Sequence, residues 1–503
     1  MRSPAMIAAL ATILALNVAS ASAAEKQTLF DRLLSADYQI QEAALAELAG
    51  AQPADKKALI EKLIPELQSK QSGRPRSAAK ALGKLGPAAR AALPALVQAM
   101  RGPHLDALDS LANSAAAQAI GEIGPDEAAV GALISAASEG GGDLFTQKEA
   151  VRALGKVGLR DPRAVAALIG AFKGPANLEA AAALIALGAP AVGPLRDGLK
   201  DKEPEIRRWC AITLGGKLGP AALQAAPDLV DALKDSSPEV RRAAAGSLGG
   251  MGKVEGVIVA LAAAMKDEAS ETAQAASDSL SRIEAPAVDA LIAALSQPGA
   301  QQRRLAAEAL GKMGPPAKAL KALERCLKDD DGGVRLAAAA ALKASSDSQA
   351  RQALKAYEKT EQDKLQKKID ELAKADLSSL VVALRRTACF GTCPVYEVTL
   401  YGDGRVDFEG ADYVKVRGAG SATIRTEDLR QLLVEIEKSG FFSLKDSYEN
   451  YMVTDNPTAI TTISFQGRKK TIVHYHGDKT APEALSRLED AIDETAGTKR
   501  WIE

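Results

Sequence analysis

The stretch Ala81-Leu82-Gly83-Lys84-Leu85-Gly86 decides the fold, because copies of it return along the first two thirds of the chain. The clearest copies are Ala119–Gly124, Ala153–Gly158 and Ala309–Gly314. Looser copies end at Gly188, Gly219 and Gly252, and a degenerate copy occupies Ser279–Ile283. From Gly86 to Gly252, successive final glycines are 38, 34, 30, 31 and 33 residues apart. A period of about 31 residues predicts an array of short helical repeats.

Each repeat has the composition of a helical hairpin. In one unit, the segment Asp235–Glu239 supplies capping side chains and a proline, which suits the first turn of a helix because it lacks an N–H. The first helix continues through Val240–Ala244, a closing glycine allows a left-handed residue at its end, and Val257–Met265 forms the second helix. Small Ala and Gly residues let neighbouring helices approach closely. The pattern predicts a mainly α solenoid of antiparallel helix pairs over residues 26–350.

These repeats resemble the HEAT repeats, in particular the short HEAT-like subtype of phycobilisome lyases and deoxyhypusine hydroxylase. The resemblance covers about 300 residues in nine or ten units and implies the solenoid fold, which by itself carries many unrelated activities. Deoxyhypusine hydroxylase holds iron on paired His-Glu motifs. This sequence has three histidines, of which only His104 lies among the repeats, and Leu105 follows it. We therefore expect no iron site, and a bilin-lyase-like activity stays an alternative by analogy of fold.

Charge and aromatic content describe two unlike parts of the chain. Its 503 residues include 63 basic and 64 acidic side chains, so the net charge of -1 excludes binding to nucleic acid by bulk charge. Of the 18 aromatic residues, 12 follow residue 377. An Ala-rich and Leu-rich helical body is therefore predicted to precede a smaller domain with a different core.

Residues 1–23 have the features of a secretory signal peptide. Arg2 precedes an apolar stretch from Ala5 to Val18, and the segment ends in the small residues Ala21-Ser22-Ala23. About 14 apolar residues are too few for a membrane span, which needs about 20. We expect cleavage near Ala23 and export, to the periplasm or the extracellular space, as a soluble protein without a transmembrane segment.

The sequence changes character after residue 350. Residues 351–377 are highly charged, and the helical spacing of their few apolar side chains predicts a helical linker. Residues 378–503 alternate apolar and polar side chains and contain two amphipathic helices, which predicts a smaller α+β domain. The predicted strands are Val381–Thr387, Val395–Tyr401, Arg405–Phe408, Tyr413–Val416, Ala459–Phe465 and Thr471–His476.

The segment Arg386–Tyr396, with the sequence RTACFGTCPVY, resembles the opening of a bacterial domain family that has no assigned function. Tyr401–Gly404, Asp455–Thr458 and Leu488–Asp493 fit the same pattern. The resemblance spans the whole C-terminal domain and implies homology. It implies no activity, so no chemical role is transferred with it.

Cys389 and Cys393 are the one pair of cysteines close together in the sequence. In an exported protein, such a pair indicates a disulfide across the turn, with a redox pair as an alternative. A metal site is the third interpretation. His474 and His476 lie two positions apart on a predicted strand and face the same side, so two thiolates and two imidazoles could form a tetrahedral zinc set.

Arginines recur early in the predicted first helices, at Arg207, Arg208, Arg241, Arg242, Arg303, Arg304 and Arg335. They could form an anion-binding stripe or a ladder of ion pairs between repeats, with acids such as Asp235 or Asp201. Because acidic residues are as numerous as basic ones, we favour the ladder.

The sequence favours a non-enzymatic, exported scaffold. In this hypothesis the solenoid binds a protein or peptide partner, and the C-terminal domain is an accessory recognition module. We name no catalytic residue and expect no cofactor, since the sequence has none of the common catalytic or nucleotide-binding motifs. The alternative is a redox or metal-dependent site at Cys389, Cys393, His474 and His476. The candidate polar or binding site consists of Arg386, Tyr396, Asp455, His474 and His476.

Overall fold

The computed structural model describes residues 28–102, 107–138, 143–216, 218–450 and 455–503. The predicted signal peptide and His104 lie outside these ranges. The chain divides into two compact units, of which the first ends at Leu354 and the second comprises Lys355–Glu503. Within the described ranges, every helix is too short or too polar to cross a membrane.

In the described residues of the first unit, helices are joined by short turns and 3-10 segments, and the last helix continues into the second unit. They are α1 (Leu29–Leu33), α2 (Tyr38–Glu47), α3 (Pro53–Glu66), α4 (Arg74–Lys84), α5 (Leu93–Met100), α6 (Ala107–Ile123), α7 (Glu127–Ala137), α8 (Leu144–Val157), α9 (Pro162–Gly170), α10 (Asn177–Leu187), α11 (Val192–Gly198), α12 (Pro204–Leu214), α13 (Ala226–Ala232), α14 (Pro238–Leu248), α15 (Val257–Ala264), α16 (Ser270–Ile283), α17 (Val288–Ala294), α18 (Ala300–Lys312), α19 (Ala317–Cys326), α20 (Gly332–Lys343) and α21 (Ser348–Leu372). From α4 to α20, the even-numbered helices are the first helices of successive hairpins. Each of them packs beside the next, which confirms the predicted mainly α solenoid.

The repeat motif contains glycines with two different purposes. Its first glycine lies where successive first helices meet: a Cβ added to Gly121 would come within 2.7 Å of the Cβ of Ala153 and 2.9 Å of its Cα. The last glycine adopts the predicted left-handed backbone, with φ of +59° at Gly86 and +88° at Gly124. In the degenerate copy, Glu284 occupies this place with φ of +63°, so the turn is kept without glycine.

Arginine side chains connect successive hairpins, as the ladder interpretation predicts. The pairs are Arg207 with Asp235, Arg241 with Asp267 and Arg303 with Asp329. In each pair, Nε and Nη2 donate to the two carboxylate oxygens over 2.7–2.9 Å. The remaining Nη1 donates to two carbonyls of the preceding turn. These three pairs form the arginine ladder.

Two cysteines of the solenoid, Cys210 and Cys326, are free and buried. Burial raises the pKa of the Cys210 thiol to about 12 and also raises that of Cys326. Both thiols are therefore protonated and inert at neutral pH.

The C-terminal unit contains a seven-stranded sheet in the order β4-β3-β2-β1-β6-β7-β5, antiparallel except where β5 lies beside β7. The strands are β1 (Val381–Arg386), β2 (Val395–Tyr401), β3 (Arg405–Asp412), β4 (Gly418–Thr423), β5 (Ser447–Tyr448), β6 (Thr458–Phe465) and β7 (Arg468–Tyr475). Three helices follow or interrupt them: α22 (Thr426–Ser439), α23 (Glu483–Ala496) and α24 (Lys499–Ile502). Apolar side chains from alternate strand positions form one core with α22 and α23, so the predicted α+β class is confirmed.

One predicted strand, Tyr413–Val416, is wrong. Tyr413 has φ of +49°, and the strand of this region, β4, begins only at Gly418. Val414 and Val416 pack against the core, and the Val416 N–H donates to the carbonyl of Trp501 over 3.0 Å. Their apolar pattern therefore reflects contact with the C-terminal end of the chain, whereas β4 is an edge strand rich in Gly and Ala that gives no alternating signal.

Candidate functional site

Five side chains at one end of the sheet form a row across five strands. The register places Arg386 opposite both Tyr396 and Ala459, and His474 opposite both Ala459 and Tyr448. Side chains of directly opposed residues point to the same face of a sheet. Helix α23 covers this face and brings acidic side chains to the row.

Glu489 on α23 is the centre of a buried group of polar side chains. His474 Nδ1 donates to Glu489 Oε1 and His476 Nε2 donates to Oε2, each over 2.9 Å. The side chains of Glu489 and His474 are 1% and 4% exposed, and that of His476 is 27% exposed. The two imidazoles stack with ring centroids 4.5 Å apart, and the Tyr448 ring meets His474 edge to face.

Glu489 keeps its charge in spite of its burial. Burial raises the pKa of Glu489, but the interactions with His474 and His476 together lower it by a larger amount. The pKa therefore lies below the ordinary 4.5. The two ring N–H groups thus replace the water that a carboxylate would otherwise need.

Asp493 holds a second group of polar side chains one helical turn further along α23. Arg386 Nε donates to Asp493 Oδ2 over 2.9 Å, and Nη2 forms an ion pair with the same oxygen at 2.8 Å. The Tyr396 hydroxyl donates to Asp493 Oδ1 over 2.7 Å. Burial lowers the pKa of Arg386, but the interactions with Asp493, Tyr396 and Glu489 together raise it by a larger amount, so Arg386 stays charged. Burial and the charge of Asp493 both raise the pKa of Tyr396, which stays a neutral donor.

The two groups adjoin each other. Glu489 and Asp493 are four residues apart and lie on one face of α23, and the charge of Glu489 also acts on Arg386. Asp490, 74% exposed, lies 3.5 Å from Arg386 Nη2 at the rim. The buried and half-buried residues of both groups are together called the polar cluster: Arg386, Tyr396, His474, His476, Glu489 and Asp493.

Four of the five predicted candidates thus lie in the polar cluster. Asp455, the fifth, lies just before β6 with a left-handed backbone, φ +78°. Its neighbour Asn456 donates its N–H to the Tyr475 hydroxyl over 3.3 Å, and Thr458 donates to Thr387 Oγ1 over 3.1 Å, next to Arg386. The segment that follows Asp455 is therefore tied to the end of the sheet that carries the polar cluster.

Two residues of the polar cluster, Glu489 and Asp493, were not among the functional candidates predicted from the sequence. Glu489 lies within the apolar stripe of α23, where Leu485, Leu488 and Ile492 are all buried. A carboxylate at a core position of an amphipathic helix is the signal that could have identified it, since buried charges need partners.

A disulfide between Cys389 and Cys393 closes the loop between β1 and β2, with Cα atoms 5.7 Å apart. Phe390, inside this loop, is 90% exposed. Because both sulfurs are used in the disulfide, they offer no thiolate to a metal ion. The zinc set of two thiolates and two imidazoles is therefore not assembled, and the two histidines share Glu489 instead.

Several solved structures are similar to the solenoid. A Kap121p mutant is 12% identical over 69% of this chain and 43% of its own, with a TM-score of 0.41. An engineered protein is 22% identical over 63% of this chain and 97% of its own, with a TM-score of 0.27. The phycocyanin lyase complex of CpcE and CpcF from Nostoc sp. PCC7120 is 22% identical over 50% of this chain and 93% of the matched chain, with a TM-score of 0.25. Similarities this low carry no functional information.

Family models match most of the described chain. HEAT repeats match residues 103–188, 192–281 and 288–372, together more than half of the sequence, and the PBS lyase HEAT-like repeat matches residues 75–102. Residues 380–496 match a domain of unknown function, DUF6438. Among curated proteins, the chain has no match. The chain therefore belongs to the HEAT-repeat family and carries a C-terminal DUF6438 domain.

Proposed function

We propose that this protein is an exported, non-enzymatic scaffold whose solenoid binds a peptide segment of a partner protein. The observation that carries the proposal is a pair of open grooves between first helices, lined by small side chains. HEAT repeats provide extended surfaces of this kind. The C-terminal domain serves as an accessory recognition module, and its disulfide supports an oxidising destination.

The first groove lies between α8 and α10 and has a volume of about 460 Å³. Ala182 and Ala186, one turn apart on α10, are exposed along it, and Leu178, 67% exposed, extends its apolar lining. Arg152 and Glu179 at its rim are paired with each other over 3.3 Å. The groove thus offers an apolar floor, and the charged residues of its lining are Arg152, Lys156 and Glu179.

The second groove crosses α12, α14 and α16 and has a volume of about 560 Å³. Its lining includes the small residues Gly215, Ala243, Gly246 and Ala275. Ile212, which also lines the groove, is 37% exposed. Both volumes are in the range that accepts a few side chains of a ligand. Two such grooves on successive first helices fit an extended segment that places one or two apolar side chains in each.

The charges at these grooves indicate which kind of partner fits. The second groove is lined by the basic residues Arg208 and Arg242 and the acidic residues Glu239, Glu271 and Asp278. Both signs alternate there, and the net charge of the chain is -1. Polyanions such as nucleic acids gain little from such a surface, whereas a peptide with small apolar side chains and few charges fits it.

Substitution in the first groove tests the proposal. Full-length Ala186→Glu places a charged side chain on the groove floor at an exposed helical position, where glutamate is a good helix former. Wild-type protein, immobilised, should retain a partner from the envelope fraction with saturable binding. Ala186→Glu should weaken this binding at least about 10-fold, because a charge would have to be buried beneath the peptide.

Val259→Glu is the matched control, since Val259 is 73% exposed on the second helix α15 and lines neither groove. Its binding should equal that of wild type. Equal binding by Ala186→Glu and Val259→Glu, or retention of no saturable partner by wild type, would contradict the proposal.

A further inference from the structure

His474, His476 and Glu489 have the composition of a metal-binding site. One ligand atom from each of the three residues lies within 4.8 Å of the other two. Two imidazoles and one carboxylate form a protein ligand set used for Zn²⁺, where a fourth position stays open to water or another ligand. His474 lies near the end of β7, Glu489 lies in the middle of α23, and His476 directly follows β7.

The ligand atoms are largely preorganised. Glu489 is held by two hydrogen bonds of 2.9 Å, and its side chain is 1% exposed. His474 is fixed between the Glu489 carboxylate and the Tyr448 ring. Little conformational entropy is therefore lost when these two side chains bind an ion.

His476 supplies the movement that an ion requires. Zn–N and Zn–O distances of about 2.0–2.2 Å place tetrahedral ligand atoms about 3.4 Å apart. The hydrogen-bonded N···O pairs, 2.9 Å apart, must therefore open by about 0.5 Å, and ligand atoms at the far limit of 4.8 Å must approach by about 1.4 Å. His476 follows the last residue of β7 and is 27% exposed, which allows its ring to make most of this movement and gives an ion a path from solvent.

Charges around the three ligands complement a divalent cation. Glu489, Asp493 and Asp478 are carboxylates, and Arg386 is the guanidinium that Asp493 holds. Asp478 interacts electrostatically with His474 and is fixed by N–H donors of Thr480 and Asn450. With Asp490 at the rim, carboxylates outnumber the guanidinium around these ligands, so the surroundings favour a cation.

From this geometry we propose that His474, His476 and Glu489 bind one Zn²⁺ ion in the C-terminal domain. The site differs from the zinc set that the sequence left as an alternative, because Glu489 replaces the two cysteines, which form the disulfide. It is independent of the grooves proposed for the partner peptide. Tyr448 acts as a positioning residue for His474.

Zinc titration of the full-length protein, freed of metal by chelation, tests the site. Calorimetry at pH 7.5 should show one Zn²⁺ per chain for wild type and for His104→Gln, which removes the third histidine of the sequence. Glu489→Gln should weaken binding by more than about 100-fold, since even residues that merely support metal ligands are worth 10–100-fold. The glutamine carbonyl can accept from one imidazole, and its NH2 can donate to the other once that ring takes its other neutral tautomer, so the metal-free variant should stay folded, which thermal unfolding checks.

His476→Gln keeps the test valid if Glu489→Gln does not fold, because His476 is the most exposed of the three residues. It should also lose stoichiometric zinc. The proposal is overturned if wild type binds no stoichiometric zinc, in which case the three residues are a structural hydrogen-bond group only. It is equally overturned if Glu489→Gln or His476→Gln binds zinc as tightly as wild type.

Discussion

At the level of single residues, Arg386 has two acidic neighbours in very different surroundings. Asp493 is 17% exposed, accepts a hydrogen bond from Nε over 2.9 Å and lies 2.8 Å from Nη2, while Asp490 is 74% exposed and lies 3.5 Å from Nη2. A buried charge that loses its partner is strongly destabilising, whereas an exposed pair contributes little. The two aspartates therefore make a matched pair of test positions on one helix.

Asp493→Asn should lower the free energy of unfolding of the C-terminal domain by about 3 kcal/mol, because Arg386, whose side chain is 16% exposed, would lose its closest and most buried ion-pair partner. Asp490→Asn should change it by less than about 0.5 kcal/mol. Urea unfolding followed by the fluorescence of Trp501, which is buried in the core of this domain, measures both. Equal effects of the two substitutions would show that Arg386 does not depend on Asp493.

In the polar cluster, the sequence indicated several of the residues but not the partners with which they interact. Arg386, Tyr396, His474 and His476 could be selected as polar residues near predicted strand ends. Their partners could not be assigned, because Arg386 and Asp493 are 107 positions apart and only the packing of α23 on the sheet brings them together. Cys389 and Cys393 are the opposite case: four positions apart, they needed no tertiary information.

At the level of elements, the arginine ladder joins successive hairpins through partly buried carboxylates. The hydrogen bonds from Arg241 lower the pKa of Asp267 by more than burial raises it, and Arg303 has the same effect on Asp329. A lowered pKa means that the folded state favours the charged carboxylate. Its stabilisation is complete above the ordinary pKa of 3.8 and is lost as pH falls through the lower, folded-state value.

Asp267→Asn should therefore destabilise the solenoid by about 2 kcal/mol at pH 7. The difference from wild type should stay constant down to about pH 4.5 and shrink below pH 3.8, because wild type then loses the same interaction. Urea unfolding followed by far-ultraviolet circular dichroism at several pH values measures this. Asp289→Asn is the control, since Asp289 is 83% exposed in its pair with Lys318 and should cost less than about 0.5 kcal/mol. A pH-independent difference for Asp267→Asn would contradict the account.

The helical hairpins could be predicted from the sequence because the same residue pattern recurs in each repeat, and the glycine at the end of the pattern marks the turn. Even the degenerate copy, with Glu284 in place of glycine, keeps its position in the array. Strand β4 could not be predicted, because Gly418–Thr423 has no apolar alternation. Its pairing with β3 is a tertiary property of the sheet edge.

At the level of the whole molecule, the chain combines two units whose stability has different origins. The solenoid is stabilised by contacts between neighbouring hairpins, so its surface grows with each repeat. The C-terminal domain has one compact core of strands and helices, with the polar cluster at one end of its sheet. We therefore assign partner binding to the solenoid and ion binding to the C-terminal domain, as proposals that are tested separately.

Site-specific photocrosslinking in living cells tests partner binding by the solenoid most directly. A photoreactive amino acid at position 182, on the floor of the first groove, is compared with one at position 259 on helix α15, both in the full-length protein. If the first groove binds the partner, position 182 should yield a crosslinked adduct of one defined mass, and position 259 should yield none. No adduct from position 182, or the same adducts from both positions, would contradict it.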